Sequence, residues 1–387
     1  MTERTAEFGL SEAHLMLRDN VRQFVRRELL ATARKRAKQD FVEPWVVRRL
    51  GEMGLLGINM PEEYGGQPGD SLSAGIAAEE VARGNMSESI LFTYPTLLHA
   101  AIKTNPGDFV HEWLTPVCRG ETIIAFGNTE PGCGSDAAAI ETKAVREGDH
   151  YLIKGEKTAV TMGMQAKAFY ITAKTATGRS PKTITAFLVP ADMPGVVRSH
   201  IPYSGCKSYG SASLILDNVR LHERYRLGQE GQAFYLAMEF FDFARVILCL
   251  MTLGAAAVSL EEAIEYAKQR RAFGQPIARW EGVSFQLAEA ATLLEAARMM
   301  SYRPLWLRDQ GRRHSKETAM AKWWVPQVAG RIIHHCILVC GHTGYSEEFG
   351  LEQRLRDVVG HELADGTAQI QKVVITRELL GRDYLPY

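Results

Sequence analysis

Charge of one sign is not in excess in this chain. Its 387 residues include 45 lysines and arginines and 45 aspartates and glutamates, so the formal net charge at pH 7 is zero. Proteins that bind nucleic acid or an anionic membrane surface need a surplus of cations. We therefore expect neither as a main partner, and an anionic ligand has to meet a local basic site.

Long apolar runs are also lacking. The longest nearly apolar run, residues 246–260, is shorter than the roughly 20 residues that a spanning helix needs, and it contains Thr252 and Gly254. The first 20 residues carry charges and no apolar stretch of the kind found in a signal peptide. We expect a cytoplasmic protein without membrane insertion, in which residues 246–260 belong to a buried core helix.

Paired cysteines are missing as well, because the six cysteines are scattered and include no Cys-x-x-Cys pair. This pattern is typical of a reduced, intracellular protein. A zinc site is conceivable in one late segment, but isoleucine, leucine and valine fill the same segment. A buried helix with small thiol side chains and no metal is therefore favoured. The residues concerned are His334, His335, Cys336, Cys340 and His342.

The spacing of apolar residues changes twice along the chain. From about 10 to 120, and again from about 230 to the end, it is helical. Between about 121 and 225 the period is two, with more glycine and proline. We predict an α+β fold that is mostly α, with an N-terminal helical domain (1–120), a small middle β-domain (121–229) and a C-terminal four-helix bundle (230–387). The candidate strands are Ile123–Gly127, His150–Lys154, Phe169–Ala173, Thr183–Val189 and Leu214–Leu216.

A glycine-rich loop follows the first predicted strand, with the sequence Phe-Gly-Asn-Thr-Glu-Pro-Gly-Cys-Gly-Ser-Asp over residues 126–136. Two glycines flank Cys133, so the backbone can turn tightly and approach a ligand closely. Thr129 and Ser135 add hydroxyls, and the N–H groups of the loop could bond a flavin edge or a phosphate. The loop matches neither a GxGxxG fingerprint nor a Walker loop. Taken alone, it is equally compatible with an ordinary strand-to-loop turn.

Two further segments combine charge with glycine. After a predicted long helix come Arg270, Arg271, Phe273 and Gly274. Cations suit the C-terminal end of a helix and glycine can cap it, but this does not explain the aromatic residue, beside which a planar ligand could bind. Near the C-terminus, Asp365 stands directly before a Gly-Thr pair at a probable helix start. By itself that position is more typical of an N-cap than of a catalytic base.

In order and spacing, four segments together resemble the acyl-CoA dehydrogenase family. They are Pro-Glu-Glu-Tyr-Gly-Gly (61–66), Thr-Glu-Pro-Gly-x-Gly-Ser-Asp (129–136), Arg-x-x-Phe-Gly (270–274), and Arg-Asp (356–357) followed by Gly-Thr (366–367). The resemblance runs from roughly Leu10 to the C-terminus. It implies FAD as cofactor, an acyl-CoA or an acyl-carrier thioester as substrate, and an electron-transfer flavoprotein or a similar protein as acceptor. It also implies a homotetramer or homodimer that shares cofactor contacts between subunits.

The resemblance implies roles for individual residues. Asp365 is the implied base, which removes the α-proton of the thioester while the β-hydrogen leaves as hydride to FAD. Contacts to CoA are implied for Ser135, Asp242 and Arg245. Contacts to FAD are implied for Phe126, Asn128, Thr129, Ala159 and Thr161 along the isoalloxazine, for Ser135 at the phosphates, for Arg270 and Phe273 at the ADP half of a neighbouring subunit's cofactor, and for Thr367 and Gln369 nearby.

The chain departs from the family pattern at the base. The usual residue before Gly-Thr is glutamate, and the methylene that Asp365 lacks pulls the carboxylate back by about 1.5 Å. Such a misplacement can cost a factor of about 100 in rate if nothing compensates. The position that carries the base in some other members is Ala244, which cannot serve. Ala159 replaces a tryptophan that often packs on the flavin, which indicates more room beside the ring.

Three alternatives remain beside a dehydrogenase that acts on CH–CH groups. An aspartate base also occurs in nitroalkane oxidases, relatives on the same fold that need no CoA; Asp242 and Arg245, as CoA contacts, oppose that interpretation. Some family members run mainly as enoyl-CoA reductases. A flavin-binding protein with little turnover, which serves in interaction or electron transfer, is the alternative from another class.

Overall fold

The computed structural model describes residues 9–102 and 109–384. The first eight residues of the stretch considered above for a signal peptide lie outside that part of the chain. Helices form both ends of the described chain and a sheet forms its middle, which confirms the predicted α+β architecture. The predicted domain limits at 120/121 and 229/230 fall between elements, and we retain them as a proposed division.

Six α-helices build the N-terminal part over residues 9–102 and 109–120, and α4 is its buried centre. Asp70 starts α4 by accepting a hydrogen bond from the backbone N–H of Ser73 at 2.7 Å. Small residues let α4 approach its neighbours closely, and a Cβ at Gly75 would meet the side chains of Leu305 and Leu250. The helices are α1 Glu12–Phe24, α2 Ala33–Ala37, α3 Pro44–Glu52, α4 Ser71–Ala82, α5 Tyr94–Ile102 and α6 Thr115–Cys118, with a 3-10 helix at Met86–Thr93.

The middle part is an eight-stranded sheet in the order β6-β7-β3-β2-β4-β5-β8, with β1 paired to β4. The pairings of β1 with β4 and of β2 with β4 are parallel and the others are antiparallel. The strands are β1 Ile124–Gly127, β2 Lys143–Glu147, β3 His150–Val160, β4 Ala168–Lys174, β5 Ile184–Pro190, β6 Val196–His200, β7 Ala212–His222 and β8 Arg226–Leu227.

In the C-terminal part, α9 packs against α7, α8, α11 and α12, and α7 also packs against α4. Among the described residues, α7 alone is long and apolar enough to cross a membrane, but its most apolar stretch is wholly buried inside the fold. This confirms the prediction of a core helix. The helices are α7 Ala233–Gln269, α8 Glu281–Asp309, α9 Ser315–Cys340, α10 His342–Tyr345, α11 Leu351–Leu363 and α12 Ala368–Leu380.

Several local predictions need correction. The strand expected at Leu214–Leu216 extends over all of β7, while β2 and β6 were not predicted. Residues of β6 are mostly exposed, so apolar alternation could not reveal this strand. Gly274 does not cap α7, because α7 ends at Gln269 and a short hairpin follows. Its strands are β9 Arg271–Ala272 and β10 Gln275–Pro276, with positive φ angles at Phe273 (51°) and Gly274 (83°) in the turn.

Candidate active site

A cavity of about 740 Å³ opens where the two helical parts and the sheet meet. This volume is within the range of roughly 300–1,000 Å³ that is typical of small-molecule and cofactor sites. The wall combines aromatic side chains with a few convergent polar groups, a composition that is also typical of such sites. Its lining includes the implied cofactor and substrate residues Phe126, Asn128, Thr129, Ser135, Ala159, Thr161, Arg245, Asp365 and Thr367.

Three of these residues, Phe126, Asn128 and Thr129, lie at or just after the end of β1. The ring of Phe126 packs edge-on against Phe240 and Phe241 of α7, with centroids 5.9 and 5.6 Å away. The side chain of Asn128 is held in place by the sheet, because its Oδ1 accepts a hydrogen bond from Thr172 Oγ1 on β4 at 2.7 Å. The sheet therefore holds this wall rigidly, and an aromatic face and polar backbone groups lie next to each other.

A buried ion pair braces the glycine-rich loop from behind. Lys157 Nζ lies 2.7 Å from Glu130 Oε1 and donates to the Asn128 carbonyl oxygen at 3.2 Å. Glu130 in turn accepts from the backbone N–H of Thr142 at 3.1 Å. Burial lowers the pKa of Lys157 to about 8, while the charge of Glu130 acts to raise it. Sequence reasoning missed both residues, although Glu130 belongs to the quoted motif.

The end of β3 bends into the cavity wall. The register between β3 and β7 shifts between Lys157 and Val160, and Ala159 adopts a left-handed φ of 54° within this irregularity. Ala159 is exposed at the cavity, and Thr161 follows it on the same wall. Because Ala159 carries only a methyl group, this part of the wall leaves space beside it.

Asp365 lies in the turn between α11 and α12 and is not a helix cap. The N-cap residue of α12 is Thr367, which makes no side-chain capping hydrogen bond, so the interpretation of Asp365 as a cap is wrong. The turn has positive φ angles at Asp365 (53°) and Gly366 (98°). Arg245 Nε donates to the Asp365 carbonyl oxygen at 2.9 Å, and Gln371 Nε2 donates to the Gly366 carbonyl oxygen at 3.1 Å.

The environment of the Asp365 carboxyl shifts its acidity. Burial raises its pKa above the usual value, while the positive charges of Arg245 and Lys322 act to lower it. One other carboxylate lines the cavity among the described residues, Asp136, and it is exposed on the glycine-rich loop. A half-buried carboxylate with a raised pKa and two cations nearby is suited to accepting a proton.

Four implied site residues do not line this cavity. Asp242 accepts a hydrogen bond from Ser315 Oγ at 2.5 Å, and its carboxylate lies 3.6 Å from Arg245 Nη1. Gln369 is exposed on α12. Arg270 and Phe273 lie at the hairpin after α7, where the ring of Phe273 is 92% exposed. Within one chain, these four side chains are therefore not gathered with the others.

Sequence reasoning also missed a hydrogen-bonded pair in the cavity wall. Tyr209 Oη and His361 Nε2 are 2.7 Å apart, and both residues line the cavity. Burial lowers the pKa of His361 to about 4, so the imidazole is neutral at ordinary pH and can accept a hydrogen bond from the tyrosine hydroxyl. No motif signalled these residues, because they come together only through packing of the 206–210 segment against α11.

Comparison with known proteins decides the family. Models of the acyl-CoA dehydrogenase N-terminal, middle and C-terminal domains match residues 11–121, 125–219 and 231–380. The mitochondrial short-chain specific acyl-CoA dehydrogenase of Rattus norvegicus is 35% identical over 374 residues, which cover 96% of this chain and 91% of that protein. The chain belongs to the acyl-CoA dehydrogenase family. It is thus an FAD-dependent oxidoreductase of the group that acts on CH–CH bonds.

Other acyl-CoA dehydrogenase relatives extend this similarity. The 3-(aryl)acrylate reductase of Clostridium sporogenes is 32% identical over 376 residues, which cover 96% of this chain and 99% of that protein. The butyryl-CoA dehydrogenase structure from Megasphaera elsdenii superposes with a TM-score of 0.91 at 29% identity and covers 97% of this chain and 100% of that chain. The fold is thus that of an acyl-CoA dehydrogenase.

The residues present fit the FAD of the acyl-CoA dehydrogenase family. The glycine-rich loop leaves its cavity side open, since a Cβ at Gly134, which lines the cavity, would meet only Thr129 Cγ2, at 3.9 Å. Phe126 offers a flat apolar face, and Thr129 and Thr161 offer hydroxyls beside it. An aromatic surface with convergent polar groups suits a flat heterocycle that carries hydrogen-bonding edges.

Proposed function

We propose that this protein oxidises an acyl thioester, with Asp365 as the base that removes the α-proton. One observation carries the proposal: the half-buried Asp365 lies on the wall of the cavity that also contains Phe126, Asn128, Thr129 and Thr161. Bound FAD supplies the acceptor for the hydride that leaves the β-carbon. The side chains around it supply binding, orientation and proton transfer.

The turn at Asp365 offers two groups to a substrate. Its carboxylate can take a proton, and its backbone N–H has no acceptor among the described residues. An N–H that points at a thioester carbonyl stabilises the negative charge that develops when the α-proton leaves. Since Arg245 and Gln371 hold the carbonyls of the turn, the N–H and the carboxylate keep a fixed mutual position.

We propose that the acyl group of the substrate is attached to CoA or to the arm of a carrier protein. The predicted contacts to this CoA or arm are Ser135, Asp242 and Arg245. Ser135 is exposed at the cavity and is free to meet such a group. Arg245 is 8% exposed, and its guanidinium is engaged with the Asp365 carbonyl oxygen. These contacts support a role for Arg245 at the base-bearing turn, and contact with CoA stays a prediction for Asp242.

We also propose a homo-oligomer, a homotetramer or a homodimer, in which Arg270 and Phe273 reach the FAD of a neighbouring subunit. Phe273 is 92% exposed and does not line the cavity of its own chain. Further large apolar side chains are exposed on the C-terminal helices, and such surfaces are typical of protein interfaces. They are Phe285, Met299, Leu338, Leu379 and Leu380. An electron-transfer flavoprotein or a similar acceptor in the cytoplasm completes the proposal.

Reduction of an enoyl thioester is the second candidate, and one observation favours it. Because burial raises the pKa of Asp365, the protonated form needed to deliver a proton to the α-carbon is more accessible than for an exposed carboxyl. The relative that is named a 3-(aryl)acrylate reductase agrees with this direction. The space beside Ala159 suits a wider acyl group.

The experiment follows the visible flavin spectrum of the purified protein anaerobically while saturated, branched and cyclic acyl-CoAs are added. Bleaching by one class supports the dehydrogenase and names the acyl group. Reoxidation of chemically reduced protein by an enoyl-CoA, with no bleaching by any saturated thioester, supports the reductase. Both candidates are overturned if a nitroalkane alone bleaches the flavin, or if no compound bleaches it and no enoyl-CoA reoxidises the reduced protein.

A further inference from the structure

Lys322 on α9 is a buried lysine to which the proposed mechanism assigns no role. Its side chain is 1% exposed. Nζ donates a hydrogen bond to the His361 carbonyl oxygen at 2.8 Å and lies 3.5 Å from the Gly366 carbonyl oxygen. These two carbonyls stand at the two ends of the segment 361–366, which carries Asp365. A single ammonium group therefore connects the last turn of α11 to the turn that presents Asp365 to the cavity.

No carboxylate neutralises this ammonium by direct contact. Within residues 9–102 and 109–384, Lys322 forms no ion pair, and the negative charges that act on it from a distance include those of Asp365 and Glu362. Burying a cation without a paired anion is destabilising, because the charge loses its hydration. An apolar side chain would fill the same space without that cost. Packing alone therefore does not account for a lysine at this position.

The turn that Lys322 contacts needs external support. Asp365 adopts a left-handed φ of 53°, which is uncommon for a residue with a side chain. Such conformations persist when the surrounding structure over-determines them. Arg245 and Gln371 hold the carbonyls of residues 365 and 366. Of the three donors, Lys322 is the one that also bonds to α11, so it fixes the turn relative to the helix before it.

We propose that Lys322 is a positioning residue for the base, which clamps both ends of the segment 361–366 and so fixes where the Asp365 carboxylate enters the cavity. This inference rests on the proposed function of Asp365. The ammonium does not touch the substrate; it acts through the backbone carbonyls and through its charge.

The groups around Asp365 define how its titration responds to loss of the ammonium. Arg245 faces it from α7, Lys322 from α9 and Tyr94 from α5, while Glu362 on α11 acts on Lys322. Lys322→Met removes one of the two positive charges that oppose the effect of burial. The pKa of Asp365 therefore rises. Proton abstraction, which needs the ionised carboxylate, becomes fast only at a higher pH than in wild type. Lys322→Gln keeps a hydrogen-bond donor and removes the charge.

The test uses FAD-loaded protein and compares Lys322→Met, Lys322→Gln and wild type. For Lys322→Met we expect flavin reduction in a single turnover to slow by about 100-fold with little change in KM. Its pH–rate profile should shift to higher pH, and amide hydrogen exchange across 361–367 should become faster. For Lys322→Gln we expect a smaller loss in rate, wild-type exchange and the same shift of the pH profile.

Ile332→Ala, on the same helix and equally buried, is the matched control for a packing defect. It should lower Tm without moving the pH profile or the exchange of 361–367. If Lys322→Met behaves like Ile332→Ala, with an unshifted pH profile and unchanged exchange, the inference is overturned. If wild type is not reduced by any thioester, the proposed function fails, and the exchange comparison alone still decides whether Lys322 clamps the segment.

Discussion

Replacing Asp365 by asparagine tests the proposed base with little change in shape. The carboxylate accepts no hydrogen bond from any described residue, while the turn is held through its backbone carbonyls by Arg245 and Gln371. The amide should therefore occupy the same space on the same turn. The α-proton then has no acceptor at this position, whereas the cavity walls around FAD remain intact.

The size of the effect follows from the role. A positioned general base contributes about 10²–10⁴ in rate, which corresponds to about 3–5 kcal/mol of barrier at about 1.4 kcal/mol per tenfold change. Flavin reduction by the preferred acyl-CoA should slow by that factor in anaerobic stopped-flow absorbance. The FAD content of the purified variant should equal that of wild type, because no FAD contact is removed.

Asp136→Asn is the comparison variant, because Asp136 is the other carboxylate that lines the cavity and is exposed there. We expect its reduction rate to remain within about tenfold of wild type, since proton abstraction is assigned to Asp365 and not to this exposed side chain on the glycine-rich loop. A rate for Asp365→Asn within tenfold of wild type refutes the assignment. A large loss in Asp136→Asn alone would transfer the role to the glycine-rich loop.

Three other changes have defined outcomes. Asp365→Glu moves the carboxylate about 1.5 Å further into the cavity from a fixed turn, so the same stopped-flow assay should show a rate lowered by up to about 100-fold. Lys157→Met leaves Glu130 buried without its cation and should lower the free energy of unfolding by about 3–5 kcal/mol, with loss of FAD visible in the absorbance ratio of the purified protein. Burial raises the pKa of Asp357 to about 7 from a usual value of 3.8. Its contribution to stability is fully present below pH 3.8 and is lost as pH rises to the folded-state pKa of about 7. Asp357→Asn should therefore gain stability relative to wild type in urea unfolding between about pH 4 and 7, by at most about 1.4 kcal/mol per pH unit.

The architecture could be predicted from the sequence because apolar spacing reports which face of an element is buried. The long helices α7, α8 and α9 were recognised from long apolar-rich stretches, and β4 and β5 from short apolar runs that are buried at six of seven positions. Strand β6 could not be found in the same way, because four of its five residues are exposed and only pairing with β7 defines it. The hairpin after α7 could not be predicted, because the arginines in this segment are equally typical of the C-terminal end of a helix.

The candidate site was predicted where short segments of the chain carry it. Phe126, Asn128 and Thr129 lie in one loop, and Asp365 stands beside Gly366 and Thr367. Neither segment was sufficient by itself, and the resemblance of the segments together to one family implied a shared site. The groups that support them come from distant positions: Lys157 reaches the loop from β3 and Lys322 reaches the base turn from α9. A lone lysine within an apolar helix carries no local signal of a partner 44 residues away. Such contacts exist only after the elements have packed.

The shorter base and the clamped turn are physically connected. An aspartate has one rotatable bond fewer than a glutamate, so the position of its carboxylate depends more directly on the backbone that carries it. In this protein that backbone is held by donors from three helices, through Arg245, Lys322 and Gln371. The position of the carboxylate that abstracts the proton is thereby set mainly by the main chain and less by side-chain torsions. A substrate must then bring its α-carbon closer to the turn than it would for a glutamate base.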